Sequence, residues 1–381
     1  MKVLKAMVNA NLNPEAVSEM RAGRLTHVDT MKAIGMVLVV VGHSPGLDPF
    51  IKHVIYSFHM PLFFFISGLL LTEAKLALPY RAYFSALWKG LALPYLFFFV
   101  VSYLYWLPTH DMAASVVKYV GMGWQAPLMG ILIGNGDALF VNVVLWFFTC
   151  LFTTSLIFFV ARKYLSAAFL LVALNSVGFI SILFYDRSWP RLPWGLDNAV
   201  VAIAFYSAGH FFRGYQKATS DRVSKTGARI LAFLMLAAVA FVANINGNVD
   251  LNTLQFGSHR ALYFPGAYLG IFALFYFSIA LPATRIFRWL SQNTIIIFPT
   301  HLLMFSVFTG IAVVVFGFPH NFKESSFIWT LLFPAAALLS SYPASVFIRR
   351  FFPFVMGKGR TRHALPQDIQ RIEFGGLPGN R

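Results

Sequence analysis

The chain has 381 residues, 58% hydrophobic, 17% aromatic and only 12% charged, with a mean hydropathy of +0.68. A soluble domain carries about 25% charged residues, so a large water-soluble core is excluded and the composition is that of a polytopic membrane protein. The net charge of +16 would suit a nucleic-acid binder, but its distribution along the chain follows membrane topology instead.

Residues 1–28 are polar to mixed and carry Lys2, Lys5, Arg21 and Arg24. No apolar run follows the initiator within signal-peptide distance, so no cleaved leader is expected. The segment reads as a cytoplasmic extension. Ten apolar segments follow, at about 30–46, 55–71, 90–106, 139–160, 168–184, 198–212, 230–244, 261–281, 294–316 and 327–347. Those near 30–46, 198–212 and 230–244 are short or polar-edged for a span of about 20 residues. Turn residues punctuate the intervals, among them Pro45-Gly46, Gly134-Asn135-Gly136, Pro190, Pro193, Asn246-Gly247 and Pro319. Cys150, the one cysteine, excludes an intramolecular disulfide and sits in an apolar run as a small hydrophobe. The expected organisation is an extension at 1–28, a transmembrane domain at 29–348 and a basic, aperiodic cytoplasmic tail at 349–381, expected to be disordered.

The charges set the orientation. With the N-terminus in the cytoplasm, the inner segments hold 23 of the 30 Lys and Arg residues, the outer loops hold 6, and Lys32 lies inside the first span. Such an alternation, loop by loop, is the positive-inside pattern. It predicts an all-α protein of about ten transmembrane helices with both termini cytoplasmic.

Function concentrates between Asp29 and Gly68. Two apolar runs, Ala33–Val41 and Met60–Leu71, are edged by Asp29, Lys32, His43 and His59. An ionisable group in a span faces the bundle interior, a cavity or the interface. At about 100° per residue, Asp29, Lys32 and His43 share one helix face, and the eleven steps from Lys32 to His43 rise about 16 Å. A cation near the inner mouth and an imidazole deeper in suit an extended anionic ligand. His59 opens the second span from the outer side, and His301 lies about two turns into the ninth from the inside. Neutral imidazole can take a hydroxyl proton and return it to a leaving thiolate, or carry an acyl group itself. The plainer alternative is that each histidine only hydrogen-bonds a neighbouring helix, and that Asp29 only pairs with Lys32.

Asp29, Lys32, Gly42-His43 and the run Phe58-His59-Met60-Pro61-Leu62-Phe63-Phe64-Phe65-Ile66-Ser67-Gly68 resemble the opening of the acyltransferase 3 family of integral-membrane O-acyltransferases. That family's usual signature is Arg, ten residues, His; here it is Lys32, ten residues, His43. Lysine there resembles the branch that acetylates exopolysaccharide sugars, the fucose 4-O-acetylases among them, and it keeps the charge while losing the planar fork of arginine. Weaker likenesses are Leu93-Pro94-Tyr95, Leu145-Trp146-Phe147-Phe148 and the stretch ending at His301.

The resemblance implies transfer of an acetyl or other short acyl group from acyl-CoA, a co-substrate rather than a bound cofactor, to a hydroxyl of an envelope or exopolysaccharide sugar. The acceptor would be a polysaccharide or lipid-linked oligosaccharide, and the location the inner (plasma) membrane. His43, His59 and His301 would form the catalytic group, with Lys32 and Asp29 at the acyl-CoA. Trp194, Asp197, Asn246 and Asp250, from two outer segments, offer aromatic faces and acceptors suited to a sugar; interfacial tryptophans and plain turns explain the same residues. No phosphate-binding Gly-x-x-x-x-Gly-Lys, His-Glu-x-x-His or Gly-x-Ser-x-Gly occurs, and no metal site is expected. The competing class is a transporter or flippase with a histidine-lined path.

Overall fold

The computed structural model describes residues 14–110, 123–282, 284–319 and 321–357, with side chains from His27 onward. The parts of the N-terminal extension before Pro14 and of the basic tail after Gly357 lie outside the described residues.

The fold is helical, with one two-stranded hairpin, β1 (Val249–Asp250) and β2 (Gln255–Phe256), among the described residues. Its helices are α1 (Pro14–Gly42), α2 (Pro49–Tyr56), α3 (His59–Leu69), α4 (Tyr80–Leu87), α5 (Leu93–Thr109), α6 (Ala126–Ile133), α7 (Trp146–Tyr164), α8 (Ala167–Phe184), α9 (Leu196–Phe212), α10 (Lys225–Asn246), α11 (Tyr263–Ala280), α12 (Arg285–Val314) and α13 (Phe327–Phe351), joined in places by short turns. Among the described residues, eight helical stretches are long and apolar enough to cross a membrane. The two further expected spans are the apolar end of α1 and the 17-residue α9. Both sit at the centre of the bundle. Residues around the whole girth of α9, from Asn198 to His210, are buried against protein, and a helix covered by other helices needs neither the length nor the hydropathy of a lipid-facing one.

Small residues set the closest helix contacts. A Cβ on Gly68 of α3 would fall on the carbonyl oxygen of Tyr206 in α9, and one on Gly209 on that of Phe65. The two glycines thus let α3 and α9 touch backbone to backbone, as small residues do between membrane helices. Between α4 and α5 the helix widens into a five-residue π segment, Trp88–Ala92. Pro94 follows directly; its ring crowds the carbonyl four residues back and it donates no N–H, so the ladder is re-spaced there.

The loops gather at two ends. At one, Arg213 bonds the Leu69 carbonyl and Lys163 the Leu78 carbonyl; the sequence places these segments inside. At the other, Arg191 reaches Asp137, Asp197 and Asn252, all from segments placed outside. α1 and α12 run parallel between these ends. Asp29 meets Ser291 at the inner end, and His43 meets His301 further out. α1 is already helical from Pro14, so the polar stretch and the first span share one helix.

Candidate active site

His43 follows the last residue of α1. Pro45 disfavours a helical Ser44 before it, Gly46 takes a left-handed φ of 66°, and the chain turns. The turn is pinned to α13: Ser44 Oγ donates to the Thr330 carbonyl at 2.6 Å, and Thr330 Oγ1 to the Pro45 carbonyl at 3.0 Å. The chain then re-enters as α2, started by Asp48, whose carboxylate accepts from the backbone N–H of Phe50 and Ile51.

This folding brings the three histidines together. The His43 and His301 rings lie edge to face, with centroids 5.1 Å apart. Tyr56 packs against His43 at 5.9 Å and against His59 at 4.7 Å, joining the third ring to the first. His301 lies sixteen residues into α12, which begins at Arg285, and meets His43 there.

Each ring is held in one tautomer. Nδ1 of His43 lies 2.8 Å from the Val39 carbonyl, Nδ1 of His59 3.0 Å from that of Ile55, and Nδ1 of His301 2.6 Å from that of Phe298. A carbonyl has no proton to give, so in each case the nitrogen is the donor. In the neutral ring Nε2 then carries the lone pair, as a base requires. His301 Nε2 is buried and has no partner among the described residues. His43 is half-buried and lines a cavity of about 700 Å³. Other walls of this cavity come from the outer ends of α5 and α12 and from the segment before α7, with Trp106, Asn142, Ser306 and Lys323 among them. No group of three His, Cys, Asp or Glu is arranged to hold a metal ion among the described residues.

Lys32 and Asp29 lie at the inner end of the same helix face. Asp29 accepts a 2.6 Å hydrogen bond from Ser291 Oγ of α12 and attracts the Lys32 ammonium. Lys32 donates no hydrogen bond among the described residues, which leaves its charge available to a ligand.

The four residues singled out in the outer segments are each engaged within the fold, and Arg191 ties the segment of Trp194 and Asp197 to the hairpin segment of Asn246 and Asp250. Trp194 Nε1 donates to the Leu132 carbonyl at 3.1 Å, and its ring packs on Tyr95 and Phe152. Asp197 receives Arg191 Nε at 2.5 Å. Asn246 closes the hairpin, donating to the Phe256 carbonyl and accepting from the His259 N–H. Asp250 accepts from the Asn252 N–H at 2.9 Å; burial raises its pKa, against those hydrogen bonds and the attraction of Lys52. Asp250 is linked toward the histidines through Lys52, which attracts it and whose ammonium sits 5.2 Å from the Tyr56 ring.

Residues not singled out in the sequence complete the site. Tyr56 bridges two histidines, and Asn142 ties the segment before α7 to α12. A lone amide inside Phe140-Val141-Asn142-Val143-Val144 was a readable signal, because an amide in an apolar run is costly unless paired.

A polytopic helical bundle with a lysine and an imidazole on one helix face, the imidazole lining a cavity and its Nε2 without a partner among the described residues, has the parts of a membrane enzyme that moves protons at a hydroxyl or a thiolate. The comparison with protein families gives the class of reaction. The family model described as acyltransferase domain, of the acyltransferase 3 type, matches residues 25–357. The chain belongs to that family and is a multi-pass membrane acyltransferase. No curated protein and no solved structure matches it.

Proposed function

We propose that this acyltransferase moves an acetyl or other short acyl group from cytoplasmic acyl-CoA to a hydroxyl of an exopolysaccharide or envelope-glycan sugar. It would work in the plasma membrane with both termini in the cytoplasm. The donor enters from the inner end, where Lys32, steadied by Asp29, attracts its phosphates. Its extended arm runs the ~16 Å along α1 to His43.

There the acceptor hydroxyl oxygen attacks the thioester carbonyl while His43 Nε2 takes its proton. The carbon–sulfur bond breaks, His43 returns the proton to the leaving sulfur, and the products are an O-acyl ester and free CoA. The Val39 carbonyl holds the His43 ring in the required tautomer throughout. His301 stands against the imidazolium that forms, with its own lone pair unspent. His59, through Tyr56, backs the ring from the other side.

The observation that carries this reading is the His43 ring: Nδ1 tied to a carbonyl, Nε2 without a partner among the described residues, at the wall of a cavity reached from the outer end. Purified protein in lipid, given labelled acetyl-CoA and an oligosaccharide, tests it. An acyltransferase yields labelled ester and stoichiometric CoA. Movement of the oligosaccharide across the membrane with neither product would indicate a carrier.

A further inference from the structure

Three hydroxyls in the wall of the cavity beside His43 serve it as acceptors. Thr109 Oγ1 gives its hydrogen to the Tyr105 carbonyl, Ser306 Oγ to that of Leu302 and Thr309 Oγ1 to that of Phe305. Each hydroxyl thus keeps only lone pairs to offer the cavity it lines. His43 Nε2 offers another. No aspartate or glutamate is among the lining residues, while Lys323 brings a cation to the wall. The neutral acceptors beside it fit the O–H donors of a ligand.

Asn142 is the sharpest of these. It is 4% exposed. Its Nδ2 donates to Ser102 Oγ at 2.9 Å and to the Pro299 carbonyl at 2.8 Å. The Pro299 carbonyl can only accept, so the amide cannot be turned round and the other atom is the oxygen. That Oδ1 is buried without a partner among the described residues, on a side chain that lines the cavity. A buried acceptor left unpaired is costly. Asn142 lines the same cavity as His43, and both are anchored on α12, Asn142 at Pro299 and His43 at His301.

We propose that Asn142 is a positioning and specificity residue for the acceptor: its Oδ1 receives the O–H next to the hydroxyl that is acylated. The acylated hydroxyl has one hydrogen and gives it to His43 Nε2, so a second donor is needed for Asn142. The acceptor class is therefore a polyol with neighbouring hydroxyls, not a lone alcohol. This inference rests on the acyl transfer proposed above.

The test is a panel of methyl glycosides with vicinal hydroxyls, each paired with its monodeoxy analogues, and labelled acetyl-CoA, with the reconstituted full chain. The wild-type protein should prefer a diol to the analogue lacking the neighbouring hydroxyl by about tenfold to a hundredfold in kcat/KM, since the site's oxygen is then left unpaired. Asn142→Ala should lose that factor on the diol and lose little more on the deoxy partner, so that the preference collapses. Asn142→Ser, which restores an acceptor, should recover part of it. A purely structural asparagine would lower both acceptors by the same factor, and that result overturns the proposal. So would a wild-type protein indifferent to the neighbouring hydroxyl, an arm that needs no variant. Ester formation from no member of the panel, with no CoA released, would instead count against acyl transfer itself.

Discussion

Two polar regions at the outer side of the bundle are built on opposite lines. Around Arg191 the charged groups are paired, although Asn252 Oδ1 in the same cluster is buried without a partner among the described residues. The guanidinium holds Asp197 at 2.5 Å, Asn198 Oδ1 at 2.9 Å and the Asn252 carbonyl at 2.9 Å, and Asn198 Nδ2 holds the Leu251 carbonyl at 2.5 Å. These groups lock the loop before α9 to the hairpin. Around His43 the rings are steadied through Nδ1 alone, and a second nitrogen is left unspent on a cavity wall. Both regions are polar residues beside apolar helices, and composition does not distinguish them. The difference lies in the ionisable groups: Arg191 and Asp197 are paired with each other, whereas the basic ring nitrogens beside the cavity have no partner among the described residues. Satisfied groups hold the fold, whereas an unsatisfied buried group calls for a functional explanation.

If that distinction is right, mutations in the two regions should fail in different ways. His43→Ala should accumulate in the membrane at the wild-type level and lose about 10²–10⁴-fold or more of its turnover, the usual cost of removing a general base. Arg191→Met should do the reverse. It leaves Asp197, whose side chain is 11% exposed, without its cation, and breaking a buried pair costs about 3–5 kcal/mol. Thermal unfolding should show a large loss of stability, while turnover per folded molecule stays close to normal.

Lys32→Ala should raise the KM for acetyl-CoA about tenfold with less change in kcat, and Lys32→Arg should keep most activity because the charge is retained. An alanine variant with unchanged KM would place Lys32 among the structural groups with Asp29. The smallest effect is expected at Asp250. Burial raises its pKa above the unfolded value, so its charge costs stability at neutral pH, and that cost is relieved as pH falls toward the folded pKa. Wild type should therefore gain Tm relative to Asp250→Asn between pH 7 and pH 5, with the two diverging most at neutral pH. A constant difference across that range would mean the carboxylate is not penalised there.

Much of the fold was readable in the chain, since apolar length marks spans and charge alternation sorts loops. The shared face of Asp29, Lys32 and His43 followed from helical period alone. What could not be read depends on long-range partners. The Asn142 amide is fixed by a carbonyl 157 residues away, and Ser291 meets Asp29 across 262 residues. The start of α12 at Arg285 was not legible, because its polar first turns lack the apolar signal that marks a span. Trp194, Asp197 and Asn246 offered the right groups for a sugar, but nothing local in the sequence tells that an Arg191, a Leu132 carbonyl or a Phe256 carbonyl already engages them.

The most direct measurement is the turnover of His43→Gln per inserted molecule, in lipid, with labelled acetyl-CoA and an acceptor that the wild type uses. Glutamine can still hydrogen-bond but cannot cycle a proton. The protein should insert normally and make ester at less than about one-hundredth of the wild-type rate. A stably inserted His43→Gln protein with near-normal turnover would show that the proton moves through some other group.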